Sequence, residues 1–233
     1  MSIYDSSPVL IYCSIIALVL GACLGSFLNC TAIRIARGES FVKGRSHCMH
    51  CGHDLSALDL IPVLSWVLLR GRCRYCHEKI SPRYVIVEIV FAIVTLACLL
   101  RFDLTVLCLR NEIYLCVLLL LSLVDLETMI SPDRCHIIMA AVWALSAPLL
   151  YSGHEILMHV LAGVIFGGGV LVLSLVMDKV LGRETMGGGD IKLLAVTGLY
   201  FGIVGTLFVL ILSCIIGLVF NILHRGNRVA GSI

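Results

Sequence analysis

Two sets of residues in this sequence are spaced for chemistry. The first is a pair of cysteine doublets, Cys48-Met-His-Cys51 and Cys73-Arg-Tyr-Cys76, with 21 residues between them. Two C-x-x-C knuckles at this separation present four thiolates tetrahedrally, as structural Zn²⁺ requires. Cys48, Cys51, Cys73 and Cys76 are therefore the expected metal ligands, with Arg74 and Lys79 placed to help stabilise the thiolates. His47, His50, His53 and His77 are substitute ligands or solvated loop residues. The alternatives are two disulfides or no role, and disulfides are disfavoured in a reducing cytoplasm. The stretch between 34 and 83 has little apolar core, so a metal would supply folding free energy that packing does not.

The second set is a handful of acids in or beside apolar runs: Glu88, Asp125, Glu127, Asp178 and Asp190. An ionisable group in a membrane span is costly and marks a functional candidate. Asp125 lies in Leu-Val-Asp-Leu-Glu, and Asp190 ends Gly187-Gly188-Gly189-Asp190 just before Lys192. Two carboxylates sharing a site push their titrations apart, so that one is ionised while the other is protonated. The ionised one can activate water against a peptide carbonyl. The protonated one can hydrogen-bond that carbonyl and then protonate the leaving amine. Gly187 and Gly189 would let a substrate backbone approach closely. Singly, Asp190 also reads as a helix cap and Asp125 as an interfacial acid. As a pair they also suit the proton or cation relay of a transporter, a reading that the peptidase chemistry only slightly outweighs.

The elements that must position these residues follow from composition. Of 233 residues, 60% are apolar and 14% charged, and mean hydropathy is +1.05. Soluble domains carry about 25% charged residues, so a soluble fold, a disordered chain and a nucleic-acid-binding domain are excluded. Long apolar runs without alternation exclude an outer-membrane barrel. The expected fold is all-α, a polytopic transmembrane bundle of about seven helices with a small zinc-binding loop domain. Its parts are a first helix in 1–33, a four-cysteine domain in 34–83 and a helical bundle in 84–233. Residues 9–33 form a retained helix rather than a signal peptide, because no basic segment precedes them.

Nine of the 17 Lys and Arg fall between Arg34 and Arg83, against four acids there. The positive-inside rule puts that loop in the cytoplasm, and Asp5 with no basic residue before position 10 puts the N-terminus outside. Such a loop would either lie against anionic lipid headgroups as well or serve only as a topology signal. The later spans are expected near 84–100, 113 to the high 120s, 136–151 and 155–177. An outer connection would hold Arg101, Asp103, Arg110 and Glu112, and a polar loop would fill 178–190. Residues 191–223 are too long for one span, and Gly198, Gly202 and Gly205 predict a break near Tyr200. That break returns Arg225 and Arg228 to the inside.

The motifs, taken in order, resemble one family: the type IV prepilin peptidases, bifunctional leader peptidase/N-methyltransferases of the GxGD aspartic class. They are Gly25-Ser-Phe-Leu-Asn29 with Arg34, Ser46-x-Cys48-x-x-Cys51, and Asp59-Leu-Ile-Pro-Val-Leu-Ser-Trp66. After these come Leu69-Arg-Gly-Arg-Cys73-x-x-Cys76 and Ile80-Ser-Pro-Arg-Tyr84 with Glu88. Asp125 then stands eight residues before Asp133, and Gly187-x-Gly189-Asp190-x-Lys192-Leu-Leu-Ala195 follows. The resemblance implies that Asp125 and Asp190 are catalytic. It implies prepilin or pseudopilin substrates cut after the leader's last glycine at the inner face of a bacterial inner membrane. It also implies methylation of the new amine with S-adenosylmethionine. Glu39 or Glu127 would attract a basic leader. Ala36 and Ser131 depart from the family pattern. The chain also stops at Ile233 without the family's Pro-Phe-Gly-Pro helix, as a short member or a truncated chain would.

Overall fold

The computed structural model describes residues 7–40, 44–183 and 185–230, with the side chains of 223–230 left aside. Asp5 and Lys43, which entered the charge argument, lie outside the described residues. Every regular element described is helical. They are α1 (Ser7–Ala36), α2 (Leu64–Leu68), α3 (Arg83–Phe102), α4 (Val106–Thr128), α5 (Asp133–Leu150), α6 (Gly153–Leu181) and α7 (Gly188–Ala230), with a 3-10 turn at Ala57–Leu60. Six of them are long and apolar enough to cross a membrane, and α2 is not. The chain divides into two compact units, Met1–Val142 and Trp143–Ile233.

In the first unit α1 packs on α3 and α4. Apolar attraction cannot draw helices together in lipid, so close approach of small residues does. Gly21 and Gly25 form a small-x-x-x-small stripe on α1. A Cβ on Gly21 would stand 2.7 Å from Ala92 Cα and Thr95 Oγ1, and one on Gly25 3.2 Å from Glu88 Cα. One and two turns further along the same face, Asn29 and Ala32 are fully buried. Ala32 meets Leu123 and Val124 of α4.

The connection between α3 and α4 is shorter than the sequence indicated. Arg110 and Glu112 belong to α4, which starts at Val106, and only 103–105 join it to α3. Thr105 caps the helix, its hydroxyl accepting from the Cys108 amide at 3.2 Å. The polar residues do not break the helix because they find partners within the bundle. Glu112 accepts from the Thr95 hydroxyl at 2.8 Å, and Arg110, 4% exposed, donates to the Asn111 side chain.

In the second unit the same device recurs. A Cβ on Gly163 of α6 would lie 2.9 Å from the Ala195 carbonyl oxygen, and one on Gly167 2.5 Å from Ala195 Cβ. Gly198 of α7 answers from the other side, where a Cβ would stand 2.6 Å from Gly163 Cα. We expect Gly167→Leu to destabilise this unit by about 1–3 kcal/mol through overpacking. Thermal unfolding in detergent should register the loss; an unchanged midpoint would refute the contact.

The predicted break in the last apolar stretch is present, two residues beyond Tyr200. Gly202 has φ +65° and ψ −170°, outside helical space. The Thr206 hydroxyl donates to the Thr197 carbonyl at 3.3 Å. In a straight helix those residues would be about 13 Å apart along the axis, so the chain kinks sharply at Gly202. A broken helix leaves carbonyls without amide partners. His159 supplies one, its Nδ1 lying 2.8 Å from the Leu199 carbonyl.

Candidate functional site

The four-cysteine loop is built from two copies of one turn. Cys48 N–H donates to the His53 carbonyl, and Gly52 N–H returns to the Cys48 carbonyl, both at 2.9 Å. Cys73 N–H donates to Glu78 and His77 N–H to Cys73, at 2.9 and 3.0 Å. Each knuckle needs a left-handed residue just after its second cysteine. Gly52 takes φ +70° and His77 φ +60°. Short bridges flank both, His47 with Asp54 and Arg72 with Lys79.

The turns bring all four Sγ atoms within 4.8 Å of one another, a group that could hold a metal ion. A tetrahedral Zn–S distance of about 2.3 Å implies sulfurs about 3.8 Å apart, and Cys48 and Cys76 Sγ lie 3.8 Å apart. The donor set thus fits a thiophilic, tetrahedral ion. The Cys51 amide, donating to its sulfur, outweighs burial and lowers Cys48 to about 6. At Cys76 the Glu78 amide pulls down, but burial and the three neighbouring sulfurs hold it up, at about 12. Four thiols this close cannot all ionise without a cation between them. Among the described residues the histidines are not in the cluster. His53 instead packs at a tilt against Tyr75, ring centroids 3.7 Å apart, tying one knuckle to the other.

Arg74 does not serve the thiolates as expected, because Asp59 holds it. Asp59, its side chain 4% exposed, accepts from Arg74 Nε at 2.6 Å. It also accepts from the Ser56 hydroxyl and amide at 2.7 and 3.0 Å, and from Tyr75 at 3.1 Å. The Ser56 hydroxyl and then Arg74, against burial, hold its carboxyl at about 2. A depressed carboxyl stabilises the fold fully above its unfolded value near 4 and loses that contribution as pH falls toward 2. Asp59→Asn should therefore loosen the second knuckle and speed zinc loss to a chelator several-fold at neutral pH. An unchanged release rate would show that Asp59 does not brace the site.

The loop is fastened to α3 and to α1, and Trp66 braces it from within. The buried Glu88 of α3 accepts from the Val63 amide at 2.7 Å. Arg34, in the last turn of α1, donates to the Arg45 carbonyl at 3.1 Å. Trp66 donates to the Ile80 carbonyl at 3.3 Å and lies against Gly71, where a Cβ would come within 2.8 Å. Glu88 is thus an intramembrane acid with a structural partner.

Asp125 sits in the last turn of α4, exposed, its backbone carbonyl accepting from Met129. Glu127, two residues on, is paired with Arg83 at the start of α3. In the second unit Asp190 lies in the first turn of α7 with its amide donating to Gly187 at 3.1 Å. Its carboxylate folds over Gly187, where a Cβ would stand 3.7 Å away. Gly189 and Lys192 share that first turn and a half. Asp178 proves to be a loop clamp. Its Oδ1 accepts from the Thr185 amide and hydroxyl at 2.8 and 2.6 Å. The fastenings at Glu88, Asp59 and Asp178 escaped the sequence reading, since a buried acceptor and a reactive acid look alike in one dimension.

These features define a multi-pass helical membrane protein with a cysteine-clustered insert after its first span. Residues 19–102 match the bacterial peptidase A24 N-terminal domain. Residues 112–222 match the type IV leader peptidase family. The chain is 37% identical over 207 residues to the prepilin leader peptidase/N-methyltransferase of Myxococcus xanthus (strain DK1622), covering 88% of this chain and 61% of that protein. It is 33% identical to the Pseudomonas putida protein of the same name, covering 87% of this chain and 77% of that one. It is 30% identical to the type 4 prepilin-like proteins leader peptide-processing enzyme of Escherichia coli O78:H11 (strain H10407 / ETEC), covering 91% and 85%. No solved structure matches. The chain belongs to the type IV leader peptidase family. It spans about 60% of the length of several curated relatives that it matches.

Proposed function

We propose that this protein is an aspartic endopeptidase that removes the basic leader from type IV prepilins or pseudopilins at the cytoplasmic face of the bacterial inner membrane. The observation that carries this reading is the Gly187-x-Gly189-Asp190 motif paired with Asp125, inside a chain of this family. One carboxylate takes a proton from water as the oxygen attacks the scissile carbonyl. The other, protonated, donates to that carbonyl and then delivers its proton to the leaving amine. Gly187 and Gly189 leave room for the substrate backbone, and Lys192 shapes the entrance to α7. Glu127, its charge already matched by Arg83, positions the end of α4 rather than attracting the leader.

The basic loop supports the orientation, with 34–83 cytoplasmic and the N-terminus outside. In this reading 1–33 is the first span, 34–83 the metal-binding domain and 84–233 the peptidase bundle. Cys48, Cys51, Cys73 and Cys76 hold one structural Zn²⁺, and the loop lies beside anionic lipid. The names of the relatives support a second step, transfer of a methyl group from S-adenosylmethionine to the new N-terminal amine.

The test is reconstitution of the purified chain with a prepilin in lipid. The expected product lacks its leader and gains the mass of one methyl group when S-adenosylmethionine is added. Uncut prepilin would overturn the peptidase reading. Cut but unmethylated product would overturn only the second step.

A further inference from the structure

The cysteines outside the loop contain a second pair. Cys98, near the end of α3, and Cys108, near the start of α4, place their Sγ atoms 3.9 Å apart. Only residues 103–105 separate the two helices. Cys98 is 5% exposed, and Cys108 is more open.

The position of this pair in the fold sets its chemistry. α3 starts at Arg83, directly after the four-cysteine loop. Cys98 lies fifteen residues further on, about 22 Å along a helix axis. A helix that crosses the bilayer therefore carries the loop at one face and Cys98 toward the other. This step rests on the orientation proposed above. The loop thiols then face a reducing cytoplasm and remain free for metal, while Cys98 and Cys108 face an oxidising compartment.

We propose that Cys98 and Cys108 are joined as a disulfide that staples the α3–α4 hairpin at the outer face, made by exchange with a thiol–disulfide oxidoreductase of that compartment. The more open Cys108 attacks first. Its thiolate bonds to one sulfur of the oxidoreductase disulfide, and the other sulfur leaves as a thiolate. The Cys98 thiolate then attacks the Cys108 sulfur of this mixed disulfide, and the second oxidoreductase thiolate leaves. This chain loses two electrons and two protons, and the oxidoreductase disulfide becomes a dithiol. A separation of 3.9 Å is closed by side-chain rotation on a three-residue hairpin, without moving either helix far.

Arg101 and Arg110 make the test direct, because trypsin separates peptide 84–101, with Cys98, from peptide 102–110, with Cys108. Cells expressing the full chain are quenched in acid, denatured in alkylating reagent and digested. We expect the two peptides as one linked species that separates on reduction. The species should fall at least ten-fold in cells lacking the oxidoreductase. In the same digest Cys48, Cys51, Cys73 and Cys76 should be alkylated. Recovery of Cys98 and Cys108 as alkylated free thiols would overturn the proposal. A Leu104→Cys reporter in a Cys98→Ser, Cys108→Ser background separates the causes. Labelling by an impermeant maleimide added outside, with free thiols at 98 and 108, refutes the disulfide and leaves the orientation standing. A reporter that stays unlabelled refutes the orientation, and the disulfide with it.

Discussion

Asp190→Ala and Asp125→Ala should each reduce leader cleavage by about 10³-fold or more while leaving the protein folded. Positioned acid–base groups contribute about 10²–10⁴-fold each. Here each carboxylate is assigned a step that the other cannot perform alone. The structure gives reason to expect intact folding. Both residues are exposed, and neither stands among the buried contacts that hold its helix. Asp125 lies beyond the packed Leu123 and Val124, and Asp190 precedes the buried turn of Val196 and Thr197. Groups that act as a unit are not additive, so the double variant should be no slower than either single one. Asn at either position keeps the shape and removes the charge, and should be as inactive as Ala. Prepilin cleavage followed by mass, with thermal unfolding as the control, decides the matter. Full-rate cleavage in either single variant would remove that aspartate from the mechanism.

Cys73→Ser should empty the metal centre and unfold the loop between the first two spans. Cys73 is 3% exposed, the most enclosed of the four, and its amide and carbonyl also close the second knuckle. A structural zinc site contributes about 10–16 kcal/mol of apparent binding free energy, and removing one thiolate forfeits most of it. Apolar packing adds little to hold the loop, because the described residues of 44–80 contain one short helix, one 3-10 turn and almost no buried apolar side chains. We expect zinc content to fall from one ion per chain to near zero and residues 44–80 to become protease-sensitive. The helices on either side should persist, since α1 and α3 meet through Gly21 and Gly25 rather than through the loop. Unchanged zinc content would show that the cysteines are not the ligands.

These two candidate sites stand out in the sequence for different reasons. The cysteines declare themselves because two identical turns need the same residues at the same spacing. The aspartates stand out because acids are rare in apolar runs. The spans were legible from hydropathy, and the break in α7 from its glycines. What escaped is whatever depends on a neighbour distant in sequence. Glu112 read as part of a polar connection because its partner, Thr95, lies 17 residues away on α3. The Gly-x-x-x-Gly stripes at 21 and 163 were visible as spacing, yet their function emerges only from the Ala92, Thr95 and Ala195 backbones pressed against them. Asp59 and Arg74 are 15 residues apart, and nothing local assigns one to the other.

The two glycine stripes also set an order of events during synthesis. Gly163 and Gly167 meet their partners soon after they are made, since only six residues, 182–187, separate α6 from α7 in the sequence. Gly21 and Gly25 must wait for α3, which emerges only after the whole 37–82 loop. At about 5–20 residues per second, α1 spends several seconds in the bilayer with its docking stripe bare. During that interval the stripe is open to pairing with any small-residue helix nearby, including another copy of itself. Once α3 has emerged, closure of the cysteine loop around a metal would help to return it to the helix it must meet.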